Sequence, residues 1–406
     1  MFGFKKKRIY LDHASAPPIL RDAVRAMRAA EHLYGNPGAI HSEGVAAKRS
    51  LEDSRARIAA LLGCKAREVV FTSGLTESNN LAVIGYAKHL ERLKGGLAGT
   101  HWLVSAIEHD SILSSFAEIE AMGGTVSYVE PDARGIILPQ AVAGALRPET
   151  VFVSVGWANN EIGVIQPLAK IAQTLRAHEK KHASRIIFHS DAGQAPLYIS
   201  TIVHSLGVDL LSLGANKLYG PHGIGALYIG KDISLAPTTA GGKQERNLRA
   251  GTESVALAAG FARAFEIVAG EREEESKRIE SLRCKLAEEI VARVPGVIVN
   301  GDLKCTLPHM LNISIPNIQS EYVTLMLDHA GIAISTKSAC REGEESRSHV
   351  VACLAEAAAK VDGEGGEAWR AKNTLRFSLG RETADGDIQH VATALSNVLD
   401  SRGARI

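Results

Sequence analysis

The sequence predicts an α/β fold in two parts, a large domain on a mostly parallel sheet and a smaller α/β domain toward the C-terminal end. Three observations carry this. Short β-rich runs alternate with amphipathic helical stretches from about residue 45 to 230. Those runs are continuously apolar rather than alternating, as in strands covered by helices on both faces. And 406 residues exceed the roughly 250–300 over which a single core grows.

Taken in order, apolar 3-and-4 spacing marks helices over 45–62, 77–93, 112–121 and 168–178. Seven β-rich runs lie between and after them, at 69–71, 102–104, 126–128, 151–153, 186–188, 210–212 and 226–229. In such sheets ligands bind beyond the carboxyl ends of the strands, so chemistry is sought there. The stretch 253–294, with the charged run 271–278, reads as a solvated helix bridging two domains. Further strands are expected near 297–300, 309–315, 332–335 and 375–378, and the Gly-rich patch 362–367 as a surface loop.

Composition narrows the function. Forty-six Lys and Arg against 45 Asp and Glu leave a net charge of +1, which argues against a dedicated nucleic-acid binder. No apolar run approaches the ~20 residues that span a bilayer, so no membrane association is expected. The basic residues 5–8 run directly into Ile9-Tyr10-Leu11-Asp12, without the apolar stretch of a signal peptide. Cys64, Cys284, Cys305, Cys340 and Cys353 are odd in number and form no CxxC. Reduced thiols and a cytoplasmic location are expected.

Two pattern matches are set aside. His178-Glu179 with His182 fits the zinc-protease spacing HExxH, but it ends an amphipathic helix and carries Lys180 and Lys181. An exposed helix end is expected there, and no metal. The segment from Gly225 to Lys231 nearly fits a nucleotide phosphate loop, yet Asp232 stands where Ser or Thr should hold magnesium, and the segment reads as a strand.

Three strand ends are more informative. Phe71-Thr72-Ser73-Gly74-Leu75-Thr76 ends a strand in a hydroxyl-rich turn that opens a helix, which is either an anion site or a plain cap. Asp191 ends a buried strand, where a carboxylate needs a cation, a donor or a capping role. Lys217 lies in a glycine-bracketed loop one strand later, as a Schiff-base lysine or a solvated one. In this chain order the three suggest pyridoxal phosphate: a helix start for the phosphate, an Asp for the ring nitrogen, a Lys for the aldehyde.

With these residues in view, the sequence resembles the cysteine desulfurases of the class V aminotransferase family, in their housekeeping and nitrogen-fixation-type subgroup. The matching stretches include Leu11-Asp12, Gly35-Asn36-Pro37, Thr72-Ser73-Gly74, Glu108-His109, Asn159-Asn160-Glu161, Asp191 with Gln194 and Lys217 with Tyr219-Gly220-Pro221. They continue through Arg249 with Gly251-Thr252, Ser338-Ala339-Cys340 and Arg376-Phe377-Ser378 to Arg381.

The resemblance implies a fold-type-I pyridoxal phosphate transferase. Its large cofactor domain would span 20–262, with 1–19 and 263–406 forming the small domain that carries the cysteine loop. It implies that Lys217 holds the aldehyde and moves protons, and that His109 stacks on the ring and assists proton transfer. Asp191 and Gln194 would meet the ring nitrogen and hydroxyl. Gly74, Leu75, Thr76, Gly214 and Asn216 would surround the phosphate, with Thr252 reaching it from the second copy of a homodimer. Arg376, with Asn36 and Asn159, would take the carboxylate of L-cysteine, and Asn159 would also face the cofactor. Cys340 would accept the sulfur as a persulfide, leaving alanine, for an iron–sulfur scaffold or a tRNA-thiolation enzyme. Related readings are a selenocysteine lyase, another class V lyase or aminotransferase, or a non-catalytic relative; a thiol at 340 favours sulfur transfer.

The chain departs from the pattern at Gly214-Ala215-Asn216, where the family usually has Ser-Gly-His. Loss of those donors is expected to weaken cofactor binding roughly tenfold or more. Lys337 replaces a small residue before Ser338, and the end at Ile406 leaves the scaffold partner open.

Overall fold

The computed structural model describes residues 8–336, 347–362 and 368–401. Its strands are β1 (Ile9–Tyr10), β2 (Val69–Thr72), β3 (His101–Ser105), β4 (Thr125–Val129), β5 (Thr150–Ser154), β6 (Ile187–Asp191), β7 (Leu210–Gly214), β8 (Gly225–Ile229), β9 (Ile298–Val299), β10 (Met310–Ser314), β11 (Ile332–Ala333) and β12 (Thr374–Ser378). Seven of them form one sheet in the order β2-β8-β7-β6-β5-β3-β4. All seven coincide with the β-rich runs of the sequence. β2, β3, β7 and β8 are buried along their whole length, which is why they are apolar on both faces. β4 lies at the sheet edge and is partly exposed.

The sheet is parallel from β4 through β7, whereas β8 runs antiparallel to both β7 and β2. The two reversals cancel, so the carboxyl ends of β2, β3, β5, β6 and β7 open on one edge. Helix Leu75–Lys94 starts directly after β2 from Gly74 at φ 155°, a backbone setting that favours glycine. A Cβ at Gly225 would lie 2.7 Å from the Gly74 carbonyl carbon, so β8 needs a glycine to let this turn approach.

A second sheet has the order β12-β10-β9, antiparallel throughout. β1 pairs in parallel with β11, and Asp12 bridges to Ser378, so the N-terminal residues are laced onto elements more than 300 positions away. The long helix is Val255–Arg293, and here the expectation of a solvated bridge needs correction. Its first half buries Ala258, Phe261, Phe265 and Val268, and its second half buries Ile279, Leu282, Leu286 and Ile290. Only the run 269–278 is mostly open to solvent. The apolar 3-and-4 spacing on both sides of the charged run decides this. No helix among the described residues is long and apolar enough to cross a membrane.

The HExxH match sits at the exposed end of helix Leu168–His182. Glu179 accepts from Arg176, Arg185 and the Ile186 N–H, which makes it an ion-paired strut rather than a base.

Candidate active site

A cavity of about 410 Å³ opens at the carboxyl edge of the large sheet, within the ~300–1,000 Å³ usual for small-molecule sites. Gly74, Leu75, Thr76, His109, Asn159, Asp191, Gln194, Asn216, Lys217 and Arg376 all line it. Gly214 ends β7 beneath this layer; a Cβ there would lie 3.0 Å from Asn216 Oδ1 and 3.1 Å from Leu75 Cβ. Asn36 and Thr252 are exposed and do not line the cavity. Cys340 lies outside the described residues.

Each side chain is held by the element that delivers it. Asp191 ends β6; its Oδ1 accepts from the Gly193 N–H at 2.7 Å and its Oδ2 from Asn79 Nδ2 at 2.7 Å. His109 caps helix Asp110–Ala121, Nδ1 accepting from the Ser111 N–H at 3.1 Å. Lys217 sits in the 3₁₀ turn after β7 and donates to the carbonyls of Ala14 and Ser15 at 2.8 and 2.7 Å. Gln194 Nε2 donates to the Ala14 carbonyl. Asn159 Nδ2 donates to the Ile107 carbonyl, and its Oδ1 accepts from the N–H groups of Glu161 and Ile162. Its amide therefore braces the loop after β5 against the end of β3.

Arg376 comes from the middle of β12 and is buried. Its Nη2 donates to Asp12 Oδ1 at 2.9 Å and Ser15 Oγ at 2.6 Å, and its Nη1 to the Asn160 carbonyl at 2.7 Å. Its Nε is buried with no hydrogen-bond partner among the described residues, a donor suited to an incoming carboxylate.

Glu108 forms part of the wall. Burial pushes its carboxyl up to about 8, opposed by hydrogen bonds from the Gly156 N–H and Ser105 and reinforced by the nearby Asp191 charge. At neutral pH it is a neutral group beside a cavity whose other ends carry Lys217, Arg376 and Asp191.

The chemistry of the lining fits a phosphorylated aldehyde cofactor: an amine, a strand-end carboxylate, and the backbone N–H groups of a glycine-opened helix start with a threonine in its first turn. Several residues that hold this set escaped the sequence reading: Asn79, Ser111 and Ser15. In the sequence Asp12 and Glu108 stand only as parts of matching stretches. Asn79 gave the clearest signal, a polar residue one helical turn past the cup in a helix whose buried residues beyond it are apolar or glycine.

Fold and cavity define an α/β enzyme of the fold-type-I group, with its site at the strand ends of a mostly parallel seven-stranded sheet. More narrowly, the chain belongs to the aminotransferase class-V family, whose model matches residues 9–391. It is 35% identical to the cysteine desulfurase IscS of Dictyoglomus turgidum, over 97% of this chain and 95% of that one. Among solved structures, a NifS-like protein superposes with a TM-score of 0.86 at 30% identity, covering 97% of this chain and 99% of that one. SspA in complex with cysteine superposes at 0.76 with 30% identity, covering 92% and 99%. Enzymes of this family are in general pyridoxal phosphate enzymes.

Proposed function

We propose that the protein is a pyridoxal phosphate-dependent cysteine desulfurase. The observation that carries this is the convergence of Lys217, Asp191, His109 and Arg376 on one cavity, in a chain aligned nearly end to end with a relative named for that activity. When bound, the cofactor supplies an electron sink for bond breaking at the substrate's α- and β-carbons. Lys217 would hold its aldehyde and move the substrate's α-proton. Asp191 would meet the ring nitrogen, Gln194 the ring hydroxyl, and His109 would lie against the ring. Gly74, Leu75, Thr76, Gly214 and Asn216 would surround the phosphate. Arg376 takes the carboxylate of L-cysteine, with Asn159 bracing the adjoining loop.

Cys340 is the sulfur acceptor. Its thiolate forms a sulfur–sulfur bond as the substrate's carbon–sulfur bond breaks, and the β-carbon gains a proton, leaving alanine and a Cys340 persulfide. Thr252, exposed in one protomer, reaches the phosphate of the second copy in a homodimer, and Asn36, also exposed, assists Arg376 with the substrate carboxylate. The large domain is assigned to 20–262 and the small one to 1–19 with 263–406. The persulfide passes to an iron–sulfur scaffold or a tRNA-thiolation enzyme in the cytoplasm.

Replacement of Cys340 by Ser tests the reading. It is expected to leave the cofactor's absorption and its response to cysteine intact, while sulfide release in the presence of a reductant stops. Sulfide release by Cys340→Ser at the parental rate would point instead to another class V lyase.

A further inference from the structure

Asn79 is fully buried, on helix Leu75–Lys94 one turn after the anion cup. Its Nδ2 lies 2.7 Å from Asp191 Oδ2 and 2.9 Å from Ser111 Oγ. Beside a carboxylate only the amide NH₂ end is tolerable, so both of its hydrogens are used, one on each partner. The Ser111 hydroxyl, accepting from Asn79, has its own hydrogen for His109 Nδ1 at 2.9 Å. The backbone N–H of Ser111 points to the same nitrogen at 3.1 Å. Nδ1 is therefore an acceptor, and the ring proton resides on Nε2.

The far end of the amide argues that this arrangement is not a packing choice. Asn79 Oδ1 is buried with no hydrogen-bond partner among the described residues. An unpaired carbonyl costs stability that an apolar residue of similar size would not lose. What the site obtains for that cost is the pair of donated hydrogens.

We propose that Asn79 is a positioning residue that ties Asp191 and, through Ser111, His109 into one hydrogen-bonded unit with His109 held as the Nε2–H tautomer. It rests on the reading of the cavity as a cofactor site. The Asp191 carboxylate and the His109 imidazole are thereby oriented together, although they come from β6 and from the helix after β3. With Nδ1 taken by the Ser111 donors, the imidazole presents its Nε2–H as a hydrogen-bond donor.

Two measurements test this. In unloaded protein labelled with ¹⁵N-histidine, with His109→Gln to assign the signal, His109 should show a protonated Nε2 and a bare Nδ1; a protonated Nδ1 would overturn the proposal. In the loaded enzyme, Asn79→Ala and Ser111→Ala should each lower kcat about tenfold with KM for cysteine nearly unchanged, and Ser111→Thr should restore the rate. The double variant should lose no more than either single one, because one unit breaks once. Losses that multiply to about 100-fold would mean two independent effects and defeat the proposal. Should Asn79→Ala fail to fold, Ser111→Ala against Ser111→Thr decides alone, equal rates counting against the unit. A parent protein that takes up no cofactor would overturn the reading of the cavity, and the tautomer measurement would then decide the hydrogen-bonded unit by itself.

Discussion

The two sides of the cavity are assembled differently. On the sheet side, His109, Asp191 and Lys217 follow or end the strands β3, β6 and β7, and parallel topology alone delivers strand ends to one edge. On the opposite side Arg376 lies in mid-strand, and it faces the cavity because Asp12, Ser15 and Asn160 hold it from 364, 361 and 216 positions away. The sheet side takes its positions from strand order, with Asn79, Ala14 and Ser15 tightening Asp191 and Lys217, whereas the arginine side depends on remote segments throughout. A disturbance on the first should strike chemistry, and one on the second should strike substrate binding.

The largest expected effect lies on the sheet side. Lys217→Ala should lower kcat by about 10³-fold, the scale of a lost proton-transfer group, as measured by steady-state alanine formation. In the parent, borohydride should fix the cofactor to the peptide carrying Lys217; label on Lys231 or Lys243 would displace the assignment. Arg376→Gln should behave in the opposite manner. Cofactor capture stays, while KM for cysteine rises about 100-fold, since a buried charge pair loses one member. A fall in kcat without a rise in KM would erase the contrast between the two sides.

A smaller effect sharpens the same contrast. Asp12→Asn keeps the shape of the Arg376 anchor but removes its charge, and KM should rise about fivefold with kcat unaltered. Asp12 also shows where the sequence stops being legible. The seven strands, the helices between them and the strand-end residues could be read locally, because apolar runs, helical spacing and glycine turns record local conformation. The pairing of β1 with β11 and the reversal of β8 could not. Each depends on partners far off in the chain. The same holds for Asn79 and Asp12. As residue types they fit a helix and a loop, and only the folded chain sets them beside Asp191 and Arg376.

The least of the expected effects concerns pH, and it belongs to the sheet side alone. Burial raises the Glu108 carboxyl to about 8 in the folded chain, against an ordinary value of 4.5. Below pH 4.5 it is protonated in both the folded and unfolded chain and affects neither. Between 4.5 and 8 the unfolded chain sheds this proton while the folded chain keeps it, so stability falls as pH rises through that window. Glu108→Gln retains an acceptor for the Gly156 N–H and has no proton to lose. Its melting temperature, compared with that of the parent, should therefore gain with pH, by about 2 °C or more between pH 5 and 8. Arg376→Gln should leave that difference unmoved, because the window belongs to the wall under β3 and not to the arginine anchor. Parallel melting curves for Glu108→Gln and parent at pH 5, 6.5 and 8 would mean that Glu108 is ionised in the folded chain. The wall beside Asp191 would then be charged rather than neutral.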